Sequence, residues 1–246
     1  MYQTIEAPAT ANLDGASMTN LPRKAFSDIS SRLAGAGAVT FAVTVLAQNV
    51  IRGASAPANG ASTAEVLTHY VDHRAITFVL IATDVVSAAG LFAFLGGAMR
   101  LLVGSTRRGW AFTGLFGAAS ILALFTVVVA AEQALSAIAT RGQPNIGGAV
   151  EALWTMHNSV LSALDLSVAA ALLGLSRAGI AAGITPTVFR RLAPIGAAML
   201  VVGTLVGPAI AIGDAMPLFG VAGVGFLVWL TFLFTTGVRM IRSSEA

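Results

Sequence analysis

His69 and His73 stand four residues apart, the spacing at which two imidazoles on one helix face can clasp a single ion, and Asp84 follows inside an apolar run. His73 and Asp84 are three helical turns apart, so they share a face to within about 20°, and Thr77 and Ser87 fall on the same stripe. A second stretch repeats the arrangement: His157 comes first and Asp165 lies two turns deeper, about 80° round the helix. A carboxylate deep in a bilayer is too costly to face lipid, so Asp84 and Asp165 are expected to point inward and toward each other. Two carboxylates sharing a site cannot both ionise cheaply, so the pair would hold a proton between them, as in a proton relay or a cation site.

The histidines invite a metal reading as well. His69, His73 and His157 are the only three in the chain and so the only candidate histidine ligands, with Asp72 beside them. "HYVDH" carries Tyr70 where a zinc hydrolase with two histidines at this spacing carries its glutamate, so the general base is missing. A haem between His73 and His157 would sit at the outer boundary of the spans rather than among them. There is no cysteine, which excludes disulfides, thiolate metal sites and cysteine nucleophiles. No Gly-rich phosphate loop with its lysine and no Gly-x-Ser-x-Gly elbow is present. The sequence therefore implies neither a catalytic residue nor a cofactor.

These residues are positioned by elements that belong in lipid. With 56% hydrophobic residues, 10% charged and 26 glycines, the composition lies outside that of a water-soluble domain. Six windows are long enough to cross a bilayer: 33–51, 75–99, 110–131, 158–175, 193–213 and 217–238. The expected fold is all-α, a polytopic bundle of six transmembrane helices with both termini cytoplasmic in the plasma membrane. Orientation follows from the cations. Arg23, Lys24, Arg32, Arg100, Arg107, Arg108, Arg177, Arg190, Arg191, Arg239 and Arg242 fall on one side, and only Arg52, Arg74 and Arg141 on the other. The bilayer is thus the partner that the net charge of +3 answers to, rather than nucleic acid, and other membrane subunits become partners if the protein serves as an accessory subunit.

Domain boundaries follow from the same windows. Residues 1–32 read as a cytoplasmic tail with a short interfacial helix, on which Phe26, Ile29 and Leu33 oppose Arg23, Lys24 and Asp28; 33–238 as the membrane domain; and 239–246 as a cytoplasmic tail. In the outer loop 52–74, Ser62 and Glu65 fit a capping box opening an amphipathic helix whose wet stripe is Glu65, His69, Asp72 and His73. The loop 132–157 turns at "RGQPNIGG" and then leads helically into the fourth span. Gly203 and Gly207 predict close helix contact in the fifth span, and Pro208 predicts a bend. "RRGWAFTGLFGAAS" and "RRLAPIGAAMLVVG" suggest that spans two and three are repeated by spans four and five.

The order "RLAGAGAVTFAVTVLAQNVIRG", "HRAITFVLIATD", "ALWTMHNSV" and "GITPTVFRRLAPIGA" resembles a group of six-span actinobacterial integral membrane proteins of unknown function. The resemblance implies a fold and a membrane location, and carries no activity and no site residue. Three function classes follow from the residues: a non-enzymatic accessory subunit or small-ligand binder, a small proton- or cation-coupled transporter, and a metal- or haem-dependent intramembrane enzyme. For the first two, the expected site is an outward-facing polar cleft with His73 and His157 at its mouth and Asp84 and Asp165 as its floor. Thr77 lies on its stripe, and Glu132, Gln48 and Asn49 line its wall.

Overall fold

Long apolar runs can satisfy their backbone groups in lipid only as helix or closed barrel, and every regular element among the described residues is helical. The structure is a computed structural model that describes residues 23–142, 146–214 and 216–243. Most of the N-terminal tail, 1–22, and the last residues of the C-terminal tail, 244–246, lie outside the described residues, as do 143–145 in the "RGQPNIGG" turn. The helices are α1 (Arg23–Ser55), α2 (Thr63–Asp72), α3 (Arg74–Val103), α4 (Arg108–Arg141), α5 (Gly147–Ala181), α6 (Phe189–Leu205), α7 (Gly207–Ala211) and α8 (Met216–Ser243).

Five stretches are long and apolar enough to cross a membrane: Ser30–Ser55, Arg74–Val103, Arg108–Arg141, Gly147–Ala181 and Pro217–Arg242. The window at 193–213 is not one continuous helix. It is divided at Val206 into α6, of 17 residues, and the five-residue α7. Pro208 explains the break, because it lacks a backbone N–H and its ring clashes with the carbonyl four residues earlier.

Three other boundaries differ from the sequence expectation. The segment read as a separate interfacial helix is continuous with the first span, since α1 starts at Arg23 and no glycine or proline interrupts the chain before Leu33. The C-terminal tail is helical as far as Ser243. The first part of the expected loop at 132–157 is helix too, α4 running on to Arg141, while α5, starting at Gly147, supplies the expected helical lead into the fourth span, so this hairpin extends beyond the apolar windows. α2 packs on that hairpin through a small second core of Val66, Tyr70, Leu135, Val150 and Trp154. Its start is the expected capping box: Ser62 Oγ accepts from the Glu65 N–H, and the Glu65 carboxylate accepts from the Ser62 N–H at 2.7 Å.

The long helices close into a ring in which each packs on two neighbours, in the order α1, α8, α6, α5, α4, α3 and back to α1. Glycines let the backbones approach where packing is tightest, as at Gly37 against Gly90 between α1 and α3. At the α4–α5 contact, a Cβ on Gly114 would lie 2.5 Å from the Leu175 backbone nitrogen. Phe94, Phe189, Trp229 and Phe232 fill much of the remaining interior.

Candidate functional site

At the end of the bundle capped by α2, a polar layer ties the ring together. Its centre is Arg52, in the last turn of α1. The guanidinium donates through Nη2 to Asp84 Oδ2 of α3 at 3.3 Å and to Glu132 Oε2 of α4 at 3.1 Å, and through Nε to Glu132 Oε1 at 3.2 Å. Both carboxylates are buried, while the arginine side chain keeps 20% of its surface exposed. His157 of α5 reaches Glu132 Oε1 through Nε2 at 3.3 Å and Asn158 Oδ1 through Nδ1 at 3.0 Å, and its ring stacks on Trp154 with centroids 5.0 Å apart. Asn158 donates to the Asn59 carbonyl, and Asn59 to the Ile210 carbonyl of α7. One hydrogen-bonded chain thus crosses α1, α3, α4, α5, the loop before α2, and α7.

A cavity of about 170 Å³ lies beside this layer, between α1, α4, α5 and α8. Phe41, Phe125, Phe226 and Trp229 give it aromatic walls, and its polar lining includes Gln48, Asn49, Arg52, His157, Ser162 and Asp165. Its rim includes the exposed residues Asn49, Phe219 and Gly223, at the α2-capped ends of α1 and α8. Asp165, on this lining, has no hydrogen bond or ion pair among the described residues. In the interior, the buried atoms Gln48 Oε1, Asp84 Oδ1 and Trp229 Nε1 have no hydrogen-bond partner among the described residues. Gln48 Nε2 is occupied, donating to Thr83 Oγ1 at 2.9 Å and Ser87 Oγ at 3.3 Å. Asp165 is also pressed against the broken span: a Cβ on Gly203 of α6 would lie 2.5 Å from Asp165 Oδ2.

The expected residues are therefore divided between two places. Gln48, Asn49, His157 and Asp165 line the cavity, whereas Asp84 and Glu132 are engaged by Arg52 and do not. Among the described residues no hydrogen bond joins Asp84 to Asp165. His73 is not at the mouth. It forms the break between α2 and α3, stacks on His69 with centroids 4.7 Å apart, and lines a separate surface groove with Glu65, His69 and Asp72. Thr77 is buried and donates to the His73 carbonyl. His157 is held in the buried layer against Glu132, and among the described residues no three His, Cys, Asp or Glu side chains gather closely enough to share a metal ion.

Outside the spans, burial raises the Tyr70 phenol well above its usual value, with the Glu132 charge adding to the effect. Burial, and then the neighbouring His73, lower the His69 imidazole. Hydrogen bonds from the Ser62 backbone and hydroxyl lower the Glu65 carboxyl.

The residue that sequence reasoning passed over is Arg52, read there only as one of three cations on the outer side. A signal existed: Gln48, Asn49 and Arg52 give the last turns of an otherwise apolar span a polar end, with Gln48 and Arg52 one turn apart on one face. Comparison with known protein families, with characterised proteins and with solved structures finds no match for the chain.

Proposed function

We propose that the chain is a non-enzymatic, six-span plasma-membrane protein with both termini cytoplasmic, and that it binds a small molecule carrying an amine and a compact apolar body in the cavity between α1, α4, α5 and α8. The observation that carries this reading is Asp165, a carboxyl without an ion-pair partner on the wall of an aromatic-lined cavity. Arg52 also reaches that wall, but its guanidinium is engaged by Asp84 and Glu132, whereas Asp165 lacks a cation. An ammonium group would supply the missing charge, and the surrounding rings favour a cation over their faces. The volume suits a single aromatic ring, since an apolar cavity of about 150 Å³ accommodates benzene.

The test uses three probes of one shape: benzylamine, benzyl alcohol and benzoate, each titrated into the detergent-solubilised protein while its unfolding midpoint is followed. Ligand that binds only the folded state raises the midpoint by mass action. The expected order is benzylamine, then benzyl alcohol, with benzoate last. No shift with any of the three would end the reading.

The division of the 193–213 segment supports a second reading, a proton- or cation-coupled transporter. Discontinuous helices beside a polar site are a recurring feature of transporters, and Asp165 lies against α6 three residues before the break at Val206. Flux of benzylamine into proteoliposomes that depends on an imposed pH gradient would select this reading over binding alone.

A further inference from the structure

The opposite end of the bundle holds a second cavity, of about 550 Å³, where α4 begins, α5 ends and α6 begins. Arg107, Arg177 and Arg190 line it, one from each of three segments distant in sequence, together with Thr106, Ser176 and Phe189. None of the three arginines forms an ion pair among the described residues. The sequence explains why: the segments that build the pocket, 85–131 and 166–213, contain no aspartate or glutamate. Arg177 is held in place by a neutral neighbour instead, its guanidinium carbon 4.7 Å from the centroid of the Trp110 ring. A positive-inside bias alone asks only for cations on one side of the membrane and does not require three of them to line one hollow.

We propose that this pocket binds the phosphate of an anionic phospholipid headgroup. Guanidinium groups match phosphate oxygens with paired N–H donors, and three of them converging on one hollow suit a phosphate. The Thr106 hydroxyl adds a neutral donor. The pocket lies at the ends of membrane-crossing helices, the level of headgroup phosphates, where basic pockets between spans bind such groups. Its floor is apolar, formed by Phe189, which is 2% exposed, with Ile180 and Pro194, and suits the glycerol end of a lipid.

The phosphate could also arrive on a soluble ester, and the experiment separates the two sources. Delipidated full-length protein in neutral detergent is titrated with phosphatidylglycerol, phosphatidylcholine or glycerol 3-phosphate, and bound molecules are counted by native mass spectrometry. The expected result is one tightly held phosphatidylglycerol per chain, with phosphatidylcholine weaker. Each arginine near the membrane surface contributes roughly 5-fold, so Arg107→Gln with Arg190→Gln weakens binding roughly 25-fold. Arg177→Gln repeats the test on its own, and the double variant keeps it decisive if loss of the Trp110 contact prevents that protein from folding. Glycerol 3-phosphate bound with the same arginine dependence, in place of the lipid, keeps the phosphate site and names a soluble ester as its source. The control is Arg239→Gln with Arg242→Gln, which removes exposed cations from the same end but outside the pocket. Equal loss in the control, no loss in the pocket variants, or no binding of either phosphate probe overturns the proposal.

Discussion

Asp84 and Asp165 resemble one another in sequence, each set in an apolar span two or three turns after a histidine, yet the fold gives them different company. Asp84 meets Arg52, which also holds Glu132 and through it His157, so its charge belongs to a buried network joining four spans. Asp165 meets Gly203 of α6, the aromatic walls of a cavity and, among the described residues, no cation. Position in a span therefore does not by itself assign a role to an intramembrane acid. What decides is whether another helix end brings a cation within reach, and among the described residues α1 alone does so. Asp84 is accordingly tied into the scaffold, and Asp165 is the carboxyl that the proposed ligand would meet.

The buried network is most sensitive to substitution at Arg52. Replacing it with methionine leaves Asp84 and Glu132 buried without their shared cation, and removing one partner of a buried ion pair costs about 3–5 kcal/mol. Equilibrium unfolding of the solubilised protein should show that loss for Arg52→Met and almost none for the exposed Arg141→Gln. Equal effects would mean that the network contributes no more than a surface charge.

Gly203→Ala sharpens the other side of the comparison. The added Cβ would lie 2.5 Å from both Asp165 Oδ2 and the Ala222 Cβ, so the carboxyl or the helix must move, and overpacking of this kind costs about 1–3 kcal/mol. Benzylamine should bind this variant more weakly. Unchanged stability and unchanged binding together would show that Asp165 does not depend on its seat against α6.

The smallest expected effect concerns α2. Burial and His73 hold the His69 imidazole below its ordinary value, so the folded state favours the neutral ring. Its contribution is fully present above the unfolded value of about 6.5 and is lost as pH falls through the lower folded value. Hydrogen-exchange protection over Thr63–Asp72 should therefore decline on going from pH 7 to pH 5, and His69→Gln should remove that dependence. A decline of the same size in the variant would assign the effect to other groups.

Much of this arrangement could be read before the structure, because it depends on local patterns. Apolar runs marked the membrane helices, "STAE" marked the start of α2, and Pro208 marked the weak point of the 193–213 segment, although a full break was not anticipated. The extension of α4 to Arg141 was missed because its last turns carry Glu132 and Gln133, which read as loop, whereas they continue a helix whose buried side meets α2. The site was harder to read because it is made by contacts between helices. Spacing placed His73 and Asp84 on one stripe, but a stripe does not say which neighbouring helix faces it. The order of the ring brings α1 against α3, so the partner of Asp84 came from a helix end counted only for its charge.

The central claim is that one aspartate holds the bundle and the other meets a ligand, and isosteric replacement tests it directly. Unfolding midpoints of Asp84→Asn and Asp165→Asn are measured with and without benzylamine. Exchanging a charge-assisted hydrogen bond for a neutral one costs about 1 kcal/mol, which lowers the midpoint by about 2–4 °C. That loss is expected for Asp84→Asn with the benzylamine shift intact, and for Asp165→Asn an unchanged midpoint with the shift abolished. Midpoints lowered alike, or a benzylamine shift that survives in Asp165→Asn, would contradict the claim.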